Sequence, residues 1–402
     1  MDFIKNCTNS NSVFNLLMNL KNKSQIAFYL IGAIAASFLL SLVLLQLFFA
    51  ALIMLWLLEP NIEKKKSFGS IEIYFLVFVC IRILSILFSE HFELSVHALY
   101  KDALFYIGFF PLVFYLKSFS QERKTRILEV FLLFSIVVSI IGISKFLFGI
   151  KPRAESIVSG YASFSTFLLV GLTIYFSFFS DLKKRINPWL VSFGGILILL
   201  AIVLALGRAD LGIAIAIFFI ATIQKKIQLK YLLPIVGMTA LLSLFSFQQN
   251  SSEIKVRVSQ PATMSDRDIL WKSAFQLSLQ HPFLGFGPRT FEKIFPNRNL
   301  LLDKGVGGWH NDYLTVYLES GILGVLIFLF LFFQIIKDGF KKFLFANNWR
   351  WGVFISLVAM FLSAAMSGFV NNPILSLLFV FLLAYFSAEI EGEKIKSLSY
   401  QL

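Results

Sequence analysis

Apolar runs of roughly 17 to 25 residues recur along the chain, each long enough to cross a ~30 Å hydrocarbon core as a helix. The pattern predicts helices at 26–41, 42–58, 71–89, 98–116, 127–148, 161–180, 188–206, 209–223, 231–247, 314–336, 350–369 and 372–388. These make about twelve spans of the required length, with little chain left for a soluble domain. Residues 26–58 form one continuous apolar stretch, which reads either as a hairpin or as a single long tilted helix. Basic residues flank both ends, Lys21 and Lys23 before it and Lys64 to Lys66 after it. A hairpin keeps both basic flanks on the cytoplasmic side, and a single crossing does not.

Composition agrees with this pattern. Of 402 residues 57% are hydrophobic and 48 are Phe, and the mean hydropathy is +0.78, well outside the range of soluble globular domains. The expected fold class is therefore an all-α integral membrane protein with one long, partly helical outer loop. The polar start "MDFIKNCTNSNSVFNLLMNLKNKS" lacks a short apolar core followed by a small-residue cleavage site, so the first helix is expected to direct insertion. Cys7 lies in the N-terminal tail and Cys80 in an apolar run, so no disulfide framework is expected.

A net charge of +13 raises the question of nucleic acid, but the placement of the charges argues against it. They cluster in short connections: "EKKK" at 63–66, "KSFSQERKTR" at 117–126, "DLKKR" at 181–185, "QKKIQLK" at 224–230 and "KDGFKK" at 337–342. That is the signature of cytoplasmic loops beside membrane lipid. Counting crossings then puts "SEHFELSVH", "KPRAESIVSG", "LGRADLG", residues 248–313 and "SGFVNNP" on the outer face. The domain boundaries follow: a cytoplasmic tail at 1–25, helices over 26–247, an outer loop at 248–313, helices over 314–388 and a cytoplasmic tail at 389–402.

The outer segments carry the candidate chemistry. "SDRDILWKSAFQLSLQHP" predicts a helix, with Ser265 as cap, Asp266 and Asp268 at its positive end and Pro282 as its stop. Gly285, Gly287 and Pro288 predict a tight turn, with Arg289 just beyond it. "HNDYL" re-enters the apolar region, with Asn311 or Asp312 as N-cap. Arg153, Arg208, Arg267, Arg289 and His310 share this face. Arginine's rigid fork of donors suits the oxygens of a diphosphate, and a neutral His310 suits removal of a proton from an attacking hydroxyl. In "LALGRADLGIAIAI", Arg208 has almost no polar sequence around it. A guanidinium costs roughly 2.5 to 3.5 kcal/mol at a helix centre, so Arg208 either lines a polar cavity or snorkels to headgroups with Asp210 as partner. Arg82 is expected to snorkel from the outer end of its helix, and Glu319 is either a hydrogen-bond anchor for the loop or an acid.

Metal chemistry has weak support. The Asp-x-Asp of Asp266 and Asp268 serves a helix dipole as well as it serves a cation, and His91, His97, His281 and His310 lack zinc-ligand spacing. No cofactor or metal is expected.

"RDILWKSAFQLSLQHPFLGFGPRTF" followed by "HNDYLTVYLESGILG" resembles the signature of the O-antigen ligase and polymerase superfamily. The shared features are an Arg before a Trp-containing helix, Pro-x-x-Gly-x-Gly, His-Asn-x-x-Leu and Glu-x-Gly-x-x-Gly, spanning about residues 265 to 324. "KPRAES" and "GRADLG" resemble the family's two shorter arginine motifs, the second departing from the more usual Ser-Arg-Gly. The resemblance implies a metal-independent glycosyltransferase of the bacterial inner membrane, acting at its periplasmic face. Its donor would be a glycan on undecaprenyl diphosphate and, for a ligase, its acceptor lipid A-core. By similarity His310 would be the base and Arg153, Arg208 and Arg267 would hold the departing diphosphate, with Arg289 as a further candidate and Asn311 and Glu319 in support. Two other readings stay open: a polymerase of the same superfamily, and a lipid-linked sugar transporter or flippase.

Overall fold

The computed structural model describes residues 23–60, 68–249, 267–300 and 307–399, with side chains for all of these except 245–249, 300 and 391–399. Every regular element among the described residues is helical. The helices are α1 (Lys23–Ser37), α2 (Leu42–Leu57), α3 (Ser70–Leu87), α4 (Phe92–Ser118), α5 (Gln121–Leu147), α6 (Tyr161–Arg185) and α7 (Pro188–Leu204). They continue with α8 (Arg208–Ile223), α9 (Leu229–Gln249), α10 (Arg267–Leu277), the single turn α11 (Phe291–Ile294), α12 (Asp312–Lys342), α13 (Trp349–Ser363) and α14 (Leu375–Ser399). By length and composition α3, α4, α5, α6 and α12 are able to cross a membrane, and apolar helices of 10–17 residues accompany them.

Sequence-local signals set many of these boundaries. Ser120 accepts from the Arg123 amide to start α5, and Asn187 accepts from the Trp189 amide, with Pro188 pre-set at the first helical position of α7. Residues 26–58 fold as the hairpin: α1 packs on α2, Leu39 turns the chain at φ 59°, and Lys23 Nζ returns to Leu58 O at 3.0 Å. Lys21, residues 63–66, Cys7, Ser265 and Asp266 lie outside the described residues.

Two boundaries differ from expectation. α4 begins at Phe92, inside the predicted loop "SEHFELSVH", with Glu93 in its first turn where the helix dipole favours a carboxylate. α14 runs to Ser399, past the predicted end at 388. Glu389 there is buried between Lys124 at 2.5 Å and Arg350 at 2.6 Å, ion pairs that an apolar-run criterion does not register.

Side chains are buried all round on α6 from Phe164 to Phe179, as a central helix requires. α6 packs on α7 and α13, α14 packs on α4, and α12 packs on α3. The polar connections sort to the two ends of the bundle. At one end Lys117 meets Glu72, Arg185 meets Glu129, and Lys226 meets the Ala346 carbonyl. At the other, Ser89 donates to Phe286 O, Asn372 to Ser163, and Arg267 to Met366 O. The second end gathers the segments predicted to share one face.

One backbone crossing organises that end. α12 breaks at Gly321 (φ 63°, ψ −165°), a conformation open essentially to glycine alone. The loop after α10 lies in the break: Phe286 N donates to Leu318 O at 2.7 Å, Gly287 N to Glu319 O at 3.1 Å, and Ile322 N to Pro282 O at 2.8 Å. A Cβ on Gly321 would strike the backbone of Phe283, and one on Gly285 the backbone around Leu318 to Ser320. The glycines of Pro-x-x-Gly-x-Gly and Glu-x-Gly are therefore two halves of one contact. Gly321→Ala is expected to destabilise the protein by about 3 kcal/mol or more. Gly212→Ala, at a helical position with open space around it, should shift stability by no more than about 1 kcal/mol. Thermal unfolding of both variants in detergent micelles is the check, and equal melting temperatures would refute the crossing.

Candidate active site

α12 starts where Asn311 Oδ1 accepts from the Leu314 amide at 3.1 Å, so Asn311 is the cap and fixes the residue before it. That residue, His310, has φ 50°, a left-handed conformation costing a side-chain-bearing residue about 1–2 kcal/mol. Asp312, the alternative cap, turns inward and accepts from the Phe369 amide at 2.6 Å and the Val370 amide at 3.2 Å. The re-entry point is thereby tied to the loop between α13 and α14.

His310 keeps an open face to solvent. Protein packed around its other sides disfavours the charged ring, and the positive charge of Arg267 adds to the effect, so its pKa is lowered from 6.5. The imidazole is neutral at pH 7, the form able to accept a proton.

Arg267 opens α10 and donates to Met366 O at 2.6 Å. Burial lowers its pKa, Arg208 pushes in the same direction, and Tyr161 and Asp210 oppose them. Arg153 lies over the Tyr161 ring at 4.2 Å. Arg208 is exposed at the first position of α8. Its helix start is held by Asp210, whose buried carboxylate accepts from Ser165 on α6, from Ser363 at 2.8 Å on α13 and from Thr166 at 3.5 Å. Arg153 and Arg267 thus share Tyr161 as a neighbour, Arg208 acts on Arg267, and Arg267 acts on His310.

Arg289 stands apart from them. Its Nε and Nη2 donate to Asp102 Oδ1 at 3.1 and 2.6 Å, and Nη2 also reaches Asn371 O at 3.0 Å. Its fork is engaged inside the protein, where the sequence led us to expect it open toward a ligand. Glu319 is the anchor of this region. It accepts from the Arg289 amide at 2.8 Å, from Asn371 Nδ2 at 2.6 Å and from Arg82 Nη2 at 2.8 Å.

Arg82 overturns the snorkelling expectation: it is fully buried, and its Nε also donates to Tyr106 at 3.0 Å. An arginine inside an apolar run needs a carboxylate partner, and matching it to Asp102 and Glu319, each at the polar end of an apolar helix, would have found the set. Tyr161 and Asn371 carry no comparable signal in the sequence, and Asp210 stands out there only as a partner for Arg208.

His310 also lines a cavity of about 460 Å³. Its walls come from the first turns of α4, the segment around α11, residues 307–310, the start of α12 and residues 367–373, with Trp309, Arg289 and Glu319 among them. His310 therefore lines the cavity and also feels the charge of Arg267.

No curated protein matches the chain. Residues 193–329 match a family model described as O-antigen ligase. The match covers Arg208, Arg267, Arg289, His310 and Glu319, and leaves Arg153, Arg82 and Asn371 outside it. Together with the motif order from Arg267 to Gly324, the match makes this stretch of the chain similar to the O-antigen ligase family and supports that superfamily.

Proposed function

We propose that this protein is an O-antigen ligase-type glycosyltransferase. It crosses the bacterial inner membrane about twelve times and moves a glycan from undecaprenyl diphosphate to lipid A-core at the periplasmic face. The observation that carries this reading is that His310 lines the cavity while its ring feels the charge of Arg267. The acceptor hydroxyl enters from the cavity and gives its proton to neutral His310. The oxygen attacks the anomeric carbon of the donor, the carbon–oxygen bond to diphosphate breaks, and undecaprenyl diphosphate leaves. Arg153, Arg208 and Arg267 face the growing charge, the preorganised electrostatic contribution that dominates many such transfers. Arg289 and Glu319 act earlier in the chain of cause, by fixing the turn and the start of α12, and Asn311 fixes His310. No residue in this scheme calls for a metal or cofactor.

His310→Ala should reduce transfer by at least about a hundredfold while the variant still elutes from size-exclusion chromatography as the wild type does. Retained turnover would remove the base from the scheme. Arg208→Lys keeps the charge and loses the fork, and a fall in kcat of about tenfold or more is expected. A near-normal kcat would reduce Arg208 to an anchor of α8.

The pH dependence carries a sign. Because the pKa of His310 is lowered, the base stays neutral as pH falls through 6.5, and the acid limb of kcat/KM should lie below that value. Arg267→Gln removes a positive neighbour and should move the limb upward. Cells lacking the protein distinguish ligase from polymerase. Long glycan trapped on the carrier beside bare lipid A-core is expected, and core bearing a single repeat unit would assign polymerisation instead.

A further inference from the structure

The cavity beside His310 is polar, but nearly all of its polar groups are already satisfied within the protein. Glu319 is held by Arg82, Asn371 and the Arg289 amide, and Arg289 by Asp102. Asn371 also accepts from Arg82 at 3.3 Å. Asp312 takes the amides of Phe369 and Val370. Thr315 donates to Asn311 O, and Ser367 to Ser363 O. Asn372 accepts from the Ile374 and Leu375 amides and donates to Ser163.

Two lining cations stand outside this pattern. Lys101 on α4 and Lys293 in α11 are exposed, and neither side chain has an ion pair or hydrogen bond among the described residues. The charges around them do not cancel theirs. Glu319 and Arg289 are committed to buried opposite charges, Asp312 to backbone donors, and the exposed Glu292 lies 4.0 Å from Arg298. His97 is exposed on the same wall. A concave site with uncompensated charge of one sign concentrates ligands of the other. Trp309 and Phe291, perpendicular to each other at 4.8 Å, add aromatic surface to the wall.

We infer that this cavity is the acceptor pocket and that it selects an acceptor sugar carrying an anionic group, phosphate or carboxylate, read by Lys101 and Lys293. This deepens the proposed function and rests on it: the acceptor hydroxyl is presented to His310 from a pocket whose remaining donors recognise an anion. Arg153, Arg208 and Arg267 do not line this cavity and are left to the donor, so the two substrates are held by separate sets of cations.

The test uses the full-length protein in detergent–lipid micelles, undecaprenyl-diphosphate-linked glycan as donor, and lipid A-core acceptor in three forms: as isolated, phosphatase-treated and carboxyl-reduced. For the double variant Lys101→Gln/Lys293→Gln, KM for the untreated acceptor should rise about tenfold, as loss of hydrogen bonds to a charged group implies. KM for the donor should stay at the wild-type value. Wild type and variant should converge on whichever treated acceptor lacks the recognised anion: phosphatase-treated if it is phosphate, carboxyl-reduced if it is carboxylate. An unchanged acceptor KM in the variant, or a rise in donor KM alone, overturns the inference. Failure of the proposed function reads out differently, as transfer that survives His310→Ala.

Discussion

The ion pair between Arg82 and Glu319 sets the terms for the rest of the site. The two groups meet at 2.8 Å and are essentially inaccessible to solvent. An ionised pair in so apolar a bundle is supported by further donors and acceptors around it, because losing one partner strands a buried charge. Glu319 therefore draws in the Asn371 amide and the Arg289 backbone, and Arg82 draws in Tyr106. Through these contacts α3, α4, α12, the turn at 285–289 and the loop at 367–373 are fixed to one another. The pair adds definition to the arrangement more than it adds stability.

This arrangement accounts for a geometry in which reactive groups are rigid without touching each other. His310 is placed by Asn311 and Asp312 from below, Arg208 by Asp210 through α6 and α13, and Arg267 by the Met366 carbonyl. Each functional side chain is oriented by a neighbour whose own hydrogen bonds are internal. On the proposed reading this suits a reaction that needs fixed charges facing a developing anion.

Much of this was legible in the sequence, in a pattern that physical reasoning explains. Helix positions follow from apolar run length alone, and the Gly285 and Gly287 turn, the Asn311 cap and the conjunction of His310 with three arginines follow from local chemistry. Long-range pairings did not follow. Arg82 meets Glu319 across 237 residues, and Arg289 meets Asp102 across 187, so a scan that weighs each charge by its local surroundings assigns Arg82 to headgroups and Arg289 to a ligand. The boundaries of α4 and α14 were missed for the same reason. Their polar ends are helical because distant partners hold them, and hydropathy records only the residue's own preference for water or lipid. The roles of Tyr161 and Asp210 depend on three-dimensional proximity to Arg153, Arg267 and α6, which no spacing encodes.

The like charges near His310 have a consequence for the order of events. Arg267 acts on His310 and is acted on by Arg208, with Tyr161 and Asp210 opposing. Burial first, and the charge of Arg267 second, keep His310 neutral and make the imidazole a weaker base. On the proposed reading a bound diphosphate brings negative charge to Arg153, Arg208 and Arg267 and relieves the repulsion. The affinity of His310 for a proton rises when the donor is in place, since an opposite charge nearby favours the protonated form. The same electrostatic step that holds the donor therefore strengthens the base that activates the acceptor, and an acceptor hydroxyl arriving before the donor meets a base least able to take its proton. On the proposed reading, catalytic readiness is in this way coupled to donor occupancy by Coulomb interactions among these groups.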